Sequence, residues 1–141
     1  MDPNFIPGHL MLGLADLQES RYQESMLEIE KALAISPNRA DAVSVLGYAY
    51  AVADKRAEAR KVLDQLSELS KHKYVSPESR ALIYAALGEK DKAFEWLQKA
   101  YEDHSIIAVG PFQEIKLHPA YDPLRSDPRF ADLLRRMNLQ P

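Results

Sequence analysis

The chain has 141 residues, 46% of them hydrophobic and 28% charged, with a formal net charge of −3. That is enough apolar material for a packed core, too little net charge for a disordered chain, and no electrostatic footprint for nucleic acid. Cysteine is absent, which excludes disulfides and thiolate metal sites, and no apolar run reaches the ~18 residues of a membrane span. The opening residues, Met1-Asp-Pro-Asn-Phe5, lack the basic and apolar regions of a signal peptide, so a cytoplasmic location is expected.

Helical periodicity and turn residues divide the chain in order. A first helix is expected from near Asn4–Pro7 to about Glu19. A second runs from Tyr22 to Ile35 and ends before Ser36-Pro37, since the residue before proline is driven out of helical geometry. Asn38 is expected to cap a third helix reaching about Ala53, and a fourth runs from about Ala57 to Ser70. Ser76-Pro77 supplies a cap and a first helical residue for a fifth helix ending at Leu87. Its Leu82, Ile83, Ala86 and Leu87 recur at three and four residues. So do Ala93, Phe94, Leu97 and Ala100 of a sixth helix, about Lys92 to Asp103. Gly88 suits the left-handed position between the two, and Asp91 is expected to cap or favour the start of the sixth. Beyond His104 the pattern weakens. Ile106–Phe112 reads as a turn of helix or an extended apolar strap, and Gln113–Leu117 as at most a short helix. Asp127-Pro128 opens a last helix with Phe130, Leu133, Leu134 and Met137 on one face.

The chain also matches itself at an offset of 34 residues. Leu12-Gly13 falls on Leu46-Gly47, Tyr50 on Tyr84, Ile29 on Leu63, and Leu63 on Leu97. Ser25, Ala59 and Ala93 form one series, and Ala32, Leu66 and Ala100 another, where small residues let helices approach closely. A helix–turn–helix unit at this spacing resembles the tetratricopeptide repeat. The first unit departs from that pattern with Asp16 at the aromatic position and Ser25 at an alanine position. The third departs with Pro77 and Arg80 at positions that are usually apolar. A second resemblance lies in His118–Leu134, which is similar to the closing segment of tetratricopeptide arrays in large bacterial regulatory proteins linked to kinase or winged-helix domains. It departs at His118, where aspartate usually precedes the proline.

The resemblance implies an all-α, right-handed solenoid of three hairpins, at about 5–38, 39–72 and 73–104. A C-terminal cap over 105–141 would close it, with a final helix from about 128. Trp96 and Tyr101 are expected to pack against Phe112, Tyr121 and Leu124. The opening residues resemble the end of a preceding repeat, so a C-terminal piece of a longer protein is expected.

Little in the residues points to chemistry. The four histidines are scattered, and His9 with Asp16, seven residues apart, shares a helix face without making a metal site. They are expected to be surface or packing residues. Gly8 and Gly13 read as a helix start and a packing position. No phosphate loop or nucleophile elbow occurs. Glu28–Lys31 and Glu95–Lys99 read as solvated pairs at i,i+3 and i,i+4. No catalytic residue, cofactor or metal is expected. Arg125, Arg129, Arg135 and Arg136 read either as the solvated, dipole-compensating side of the cap or as a basic docking patch.

In tetratricopeptide arrays the first helix of each pair lines a concave groove that binds an extended peptide or a partner helix. The resemblance carries this role to Leu10, Leu14, Leu17 and Gln18, then to Asp41, Ser44, Tyr48, Ala51 and Val52, and finally to Glu78, Leu82, Ala85 and Ala86. The clamp that holds a C-terminal carboxylate needs Lys, Arg and Asn there, and these are missing. A groove with Tyr48 and a few acids suits an amphipathic helix or an apolar peptide better. The first helix, His9–Leu17, is apolar almost all round. An upstream repeat, a second copy of the chain, or a partner would cover it. The implied function is non-catalytic protein–protein interaction, as a module of a larger bacterial regulatory or signalling protein. Homodimerisation through the first helix, and sensing of a small apolar ligand in a pocket beside Tyr48, stay open as alternatives.

Overall fold

The computed structural model describes residues 6–103 and 119–137. Among them are seven α-helices, one 3-10 helix and no strand. The helices are α1 (Ile6–Gln18), α2 (Tyr22–Ile35), α3 (Ala40–Val52), α4 (Arg56–Leu69), α5 (Pro77–Leu87), α6 (Lys90–Glu102) and α7 (Pro128–Arg136), with the 3-10 helix at Pro119–Leu124. The chain divides into two compact units, Met1–Val75 and Ser76–Pro141. The strap at Ile106–Phe112, the short helix at Gln113–Leu117 and the packing of Phe112 lie outside the described residues.

In the first unit α1 packs on α2, α3 on α4, and α1 and α2 both meet α3. The two residue series predicted from the repeat, small except at Leu66, are buried in this unit. Ser25, Ala59, Ala32 and Leu66 are wholly buried, and Ile29 lies beside them without exposure. The approach is tightest at Gly13, where an added Cβ would stand 3.0 Å from Cγ1 of Ile29. Ser25 is tolerated at an alanine position because its hydroxyl donates to the Gly13 carbonyl at 2.8 Å, so no buried polar group is left without a partner.

The turns inside the hairpins repeat with the same period. Ser20, Asp54 and Gly88 all have left-handed backbone, with φ of 61°, 62° and 80°. The N–H groups of the next residues, Arg21, Lys55 and Glu89, donate to the carbonyls of Asp16, Tyr50 and Tyr84 at 2.8, 2.8 and 3.0 Å. This is a Schellman closure, which satisfies the free carbonyls of the first helix in each pair. It also places Arg21, Lys55 and Glu89 directly at the start of the following helix. For that reason α4 and α6 begin earlier than expected, and Asp91 favours the start of α6 from its first turn while Glu89 takes the cap position. Asn38 does not cap α3. Arg39 holds the cap position, and Oδ1 of Asp41 accepts the Ala42 N–H at 2.8 Å and the Arg39 Nε–H at 2.7 Å.

In the second unit both proline-led helices start as expected. Ser76 Oγ accepts the Glu78 N–H at 3.3 Å, and Asp127 Oδ1 accepts the Arg129 N–H at 2.9 Å. Ala81, Ala85, Ala93, Phe94 and Leu97 of α5 and α6 form one core with Tyr121, Leu124, Phe130, Leu133 and Leu134. Trp96, Tyr101 and Met137 pack on the margin of this core, which also contains Tyr121 and Leu124.

A residue with a Cβ is strained in left-handed backbone, so Ser20→Gly and Asp54→Gly should each raise stability by about 0.5–1 kcal/mol. Gly88→Ala should lower it by about 1 kcal/mol through the backbone alone, because the new methyl group meets nothing within 4 Å. Urea unfolding followed by circular dichroism measures all three.

Candidate functional site

By helical spacing, Leu10, Leu14, Leu17 and Gln18 share one stripe of α1, and Asp41, Ser44, Tyr48 and Val52 one stripe of α3. The two helices are in contact within the first unit. Along these stripes Gln18 and Asp41 are exposed and Leu14 and Val52 half-buried, whereas Leu10, Leu17, Ser44, Tyr48 and Ala51 are buried. Leu10 joins Ile6, Ala32 and Ala42 in a small core, and Ser44 Oγ donates to the Asp41 carbonyl at 2.8 Å. Tyr48 is only 9% exposed, so its truncation would open a cavity as well as change a surface. In the second unit Leu82 and Ala86 are half-buried and Ala85 is buried. Glu78 is buried too, and it accepts a hydrogen bond from the Tyr121 hydroxyl at 2.8 Å. The side chain assigned to a groove is therefore held by the chain's own 3-10 helix, 43 residues further on. No short-range pattern announces such a contact.

The histidine reading resolves similarly. His9 is buried, and its Nδ1 lies 2.7 Å from Oε2 of Glu28. The other oxygen of Glu28 takes Lys31 Nζ at 3.0 Å. These hydrogen bonds, His9 first, hold the Glu28 carboxyl below the usual carboxylate range. Asp16 Oδ1 receives Arg21 Nη2 at 2.7 Å. Among the described residues no three His, Cys, Asp or Glu side chains are grouped to hold a metal. His104 and His118 lie outside the described residues.

Three of the four clustered arginines are engaged inside the cap. Arg129 Nη1 donates to Asp91 at 2.9 Å, its Nη2 donates to Asp127 at 2.9 Å, and its guanidinium lies 4.4 Å from the Phe94 ring centre. Arg136 pairs with Asp132 at 3.2 Å and covers Tyr101, and Arg125 pairs with Asp122 at 2.8 Å and covers Phe130. Arginine joins planar charge to apolar stem, and here both parts serve the cap.

A cleft of about 500 Å³ opens elsewhere on the first unit, between α2 and the end of α3, and its walls include Tyr22 and Tyr50. Tyr48 is not part of its lining.

Two family models, both described as Tetratricopeptide repeat, match residues 16–74 and 79–102, together more than half of the chain. The chain is a tetratricopeptide-repeat protein. The matches span the end of α1 through α4, and then α5 with α6. Its fold class is all-α, built from the helical hairpins of which α-solenoids are made. Repeats of this family generally serve as protein–protein interaction scaffolds and not as catalysts. No curated protein and no solved structure matches the chain. Among the described residues no helix is long and apolar enough to cross a membrane.

Tyr121→Phe should lower stability by about 0.5–3 kcal/mol, the span of hydrogen bonds to neutral and to charged partners. The loss should appear as a lower urea midpoint in the transition that reports the second unit. A second expectation concerns acid. Arg129 and the start of α7 hold the Asp127 carboxyl at about 2, below its ordinary 3.8. A depressed carboxylate stabilises the fold fully above its unfolded pKa and loses that contribution as pH falls through the folded value. The melting temperature of Asp127→Asn should therefore lie below wild type at pH 6 and converge on it between about pH 4 and pH 2.

Proposed function

We propose that this tetratricopeptide chain is a non-catalytic interaction module that holds a peptide or partner helix against the paired stripes of α1 and α3. The observation that carries this reading is the mixture those stripes present. Leu14 and Val52 remain half-exposed between exposed Gln18 and Asp41, an apolar strip with polar edges. Leu82 and Ala86 offer an equivalent strip in the second unit, apart from Glu78, which Tyr121 holds. The wider setting that fits is a cytoplasmic regulatory or signalling protein of bacteria, supported by the likeness of His118–Leu134 to the closing segment of such arrays.

One observation favours a second reading, self-association through α1. Met11 and Leu12 are 70% and 43% exposed at adjacent positions on that helix, large apolar side chains that a second copy of α1 could cover.

Leu14→Glu combined with Val52→Lys should lose the proteins that co-purify with the tagged chain by tenfold or more, while Lys61→Glu on α4 keeps them and circular dichroism stays unchanged. Undiminished co-purification by the double variant would contradict the proposal. Light scattering across a wide concentration range separates the second reading. A dimer abolished by Met11→Glu supports it, and a monomer throughout removes it.

A further inference from the structure

The first unit shows once how a helix seats itself on a hairpin. α3 packs on both α1 and α2. Ala42 is wholly buried there with Ile6, Leu10 and Ala32, and Val45 and Leu33 pack on the same cluster. Ala42, Val45 and Ala49 lie three and four residues apart, so they share one stripe of α3. Ala49 is 1% exposed. The stripe is bulky in the middle and small at both ends, which lets the helix lie close to its seat.

The 34-residue offset carries this stripe to Gly8, Met11 and Ala15 of α1. The order of small, bulky and small is kept, but the exposure is reversed. Met11 is 70% exposed, Ala15 is exposed and Gly8 is half-buried. Leu12, the counterpart of half-buried Leu46, is 43% exposed. The face that α3 turns to a hairpin is thus present on α1 and open to solvent.

We infer that this face of α1 is a docking surface for a helical hairpin, whose two helices present bulky apolar side chains as Ile6, Leu10 and Leu33 are presented to α3. Met11 then takes the place of Val45, and Gly8 that of Ala42. Burial of Met11 and Leu12 drives the contact, and the small residues on either side of Met11 set its closeness. The equivalent surface on a second copy of the chain is already occupied by that copy's own α3, so the partner is a hairpin from elsewhere. The inference rests on the repeat register and on the packing of α3. It does not require that the Leu14 and Val52 stripes bind anything.

The test adds one hairpin in register to the full chain, by joining a duplicate of residues 5–38 directly ahead of Phe5. Circular dichroism should show the added helix. Hydrogen peroxide should oxidise Met11 of the original α1 about tenfold more slowly than in the unextended chain, as read by mass spectrometry of the peptide spanning the junction. Ala15→Arg, at an exposed position, should leave the unextended chain folded and remove most of that protection from the extended one. An unchanged oxidation rate would overturn the inference. So would an added segment that stays unfolded, since the same sequence folds where α3 covers it, and so would protection that survives Ala15→Arg. Protection of Met11 in the unextended chain that grows with protein concentration would overturn it in favour of self-association through α1. The α1–α3 reading fails separately, through the co-purification result.

Discussion

Everything described in this chain depends on how closely the two helices of each hairpin approach. Ser25, Ala59 and Ala93 occupy the same place in three successive units, and none has any exposed surface. A larger side chain there would force the helices apart and open the interior that Ile29, Leu63 and Leu97 fill. Packing of this kind tolerates little change in volume, because interiors are filled to the density of organic crystals. The second recurrent constraint is the left-handed residue that closes each first helix. Together, a small contact residue and a six-residue closure produce the same hairpin three times from sequences that share few identities.

The second unit shows what closes such a hairpin. Helical repeats expose an apolar face to the next repeat, and the last one needs a different cover. Here Tyr121, Leu124, Phe130, Leu133 and Leu134 supply it. The cap also uses its cations, since Arg125, Arg129 and Arg136 each pair with an aspartate and lie over an aromatic ring. A cluster that looks like a docking patch along the sequence is therefore mostly spent on holding α7 in place.

The parts of this architecture legible in the sequence are those governed by short-range pattern. The 34-residue register, the buried small-residue series, the Gly88 turn and the Ser76-Pro77 and Asp127-Pro128 starts all follow from composition at fixed spacing. What was not legible depends on backbone geometry or distant partners. Ser20 and Asp54 take the left-handed conformation without the glycine that would mark it, so the earlier starts of α4 and α6 go unseen. The available signal was the repeat spacing itself, which sets Ser20 and Asp54 in register with Gly88. His9–Glu28 and Glu78–Tyr121 join residues 19 and 43 apart, beyond any helical period. The candidate surface was legible as two stripes, but not which members stay accessible, because burial of Leu10 and Tyr48 is decided by neighbouring helices. The α2–α3 cleft was not foreseen at all.

The central claim is that recognition falls on α1 and α3 while α6 and α7 serve closure. Hydrogen–deuterium exchange of the chain, alone and bound to a protein that co-purifies with it, addresses this most directly. The account predicts added protection in peptides covering residues 6–18 and 40–52, with none in those covering 128–137. Protection confined to α6 and α7, with α1 and α3 unchanged, would contradict it.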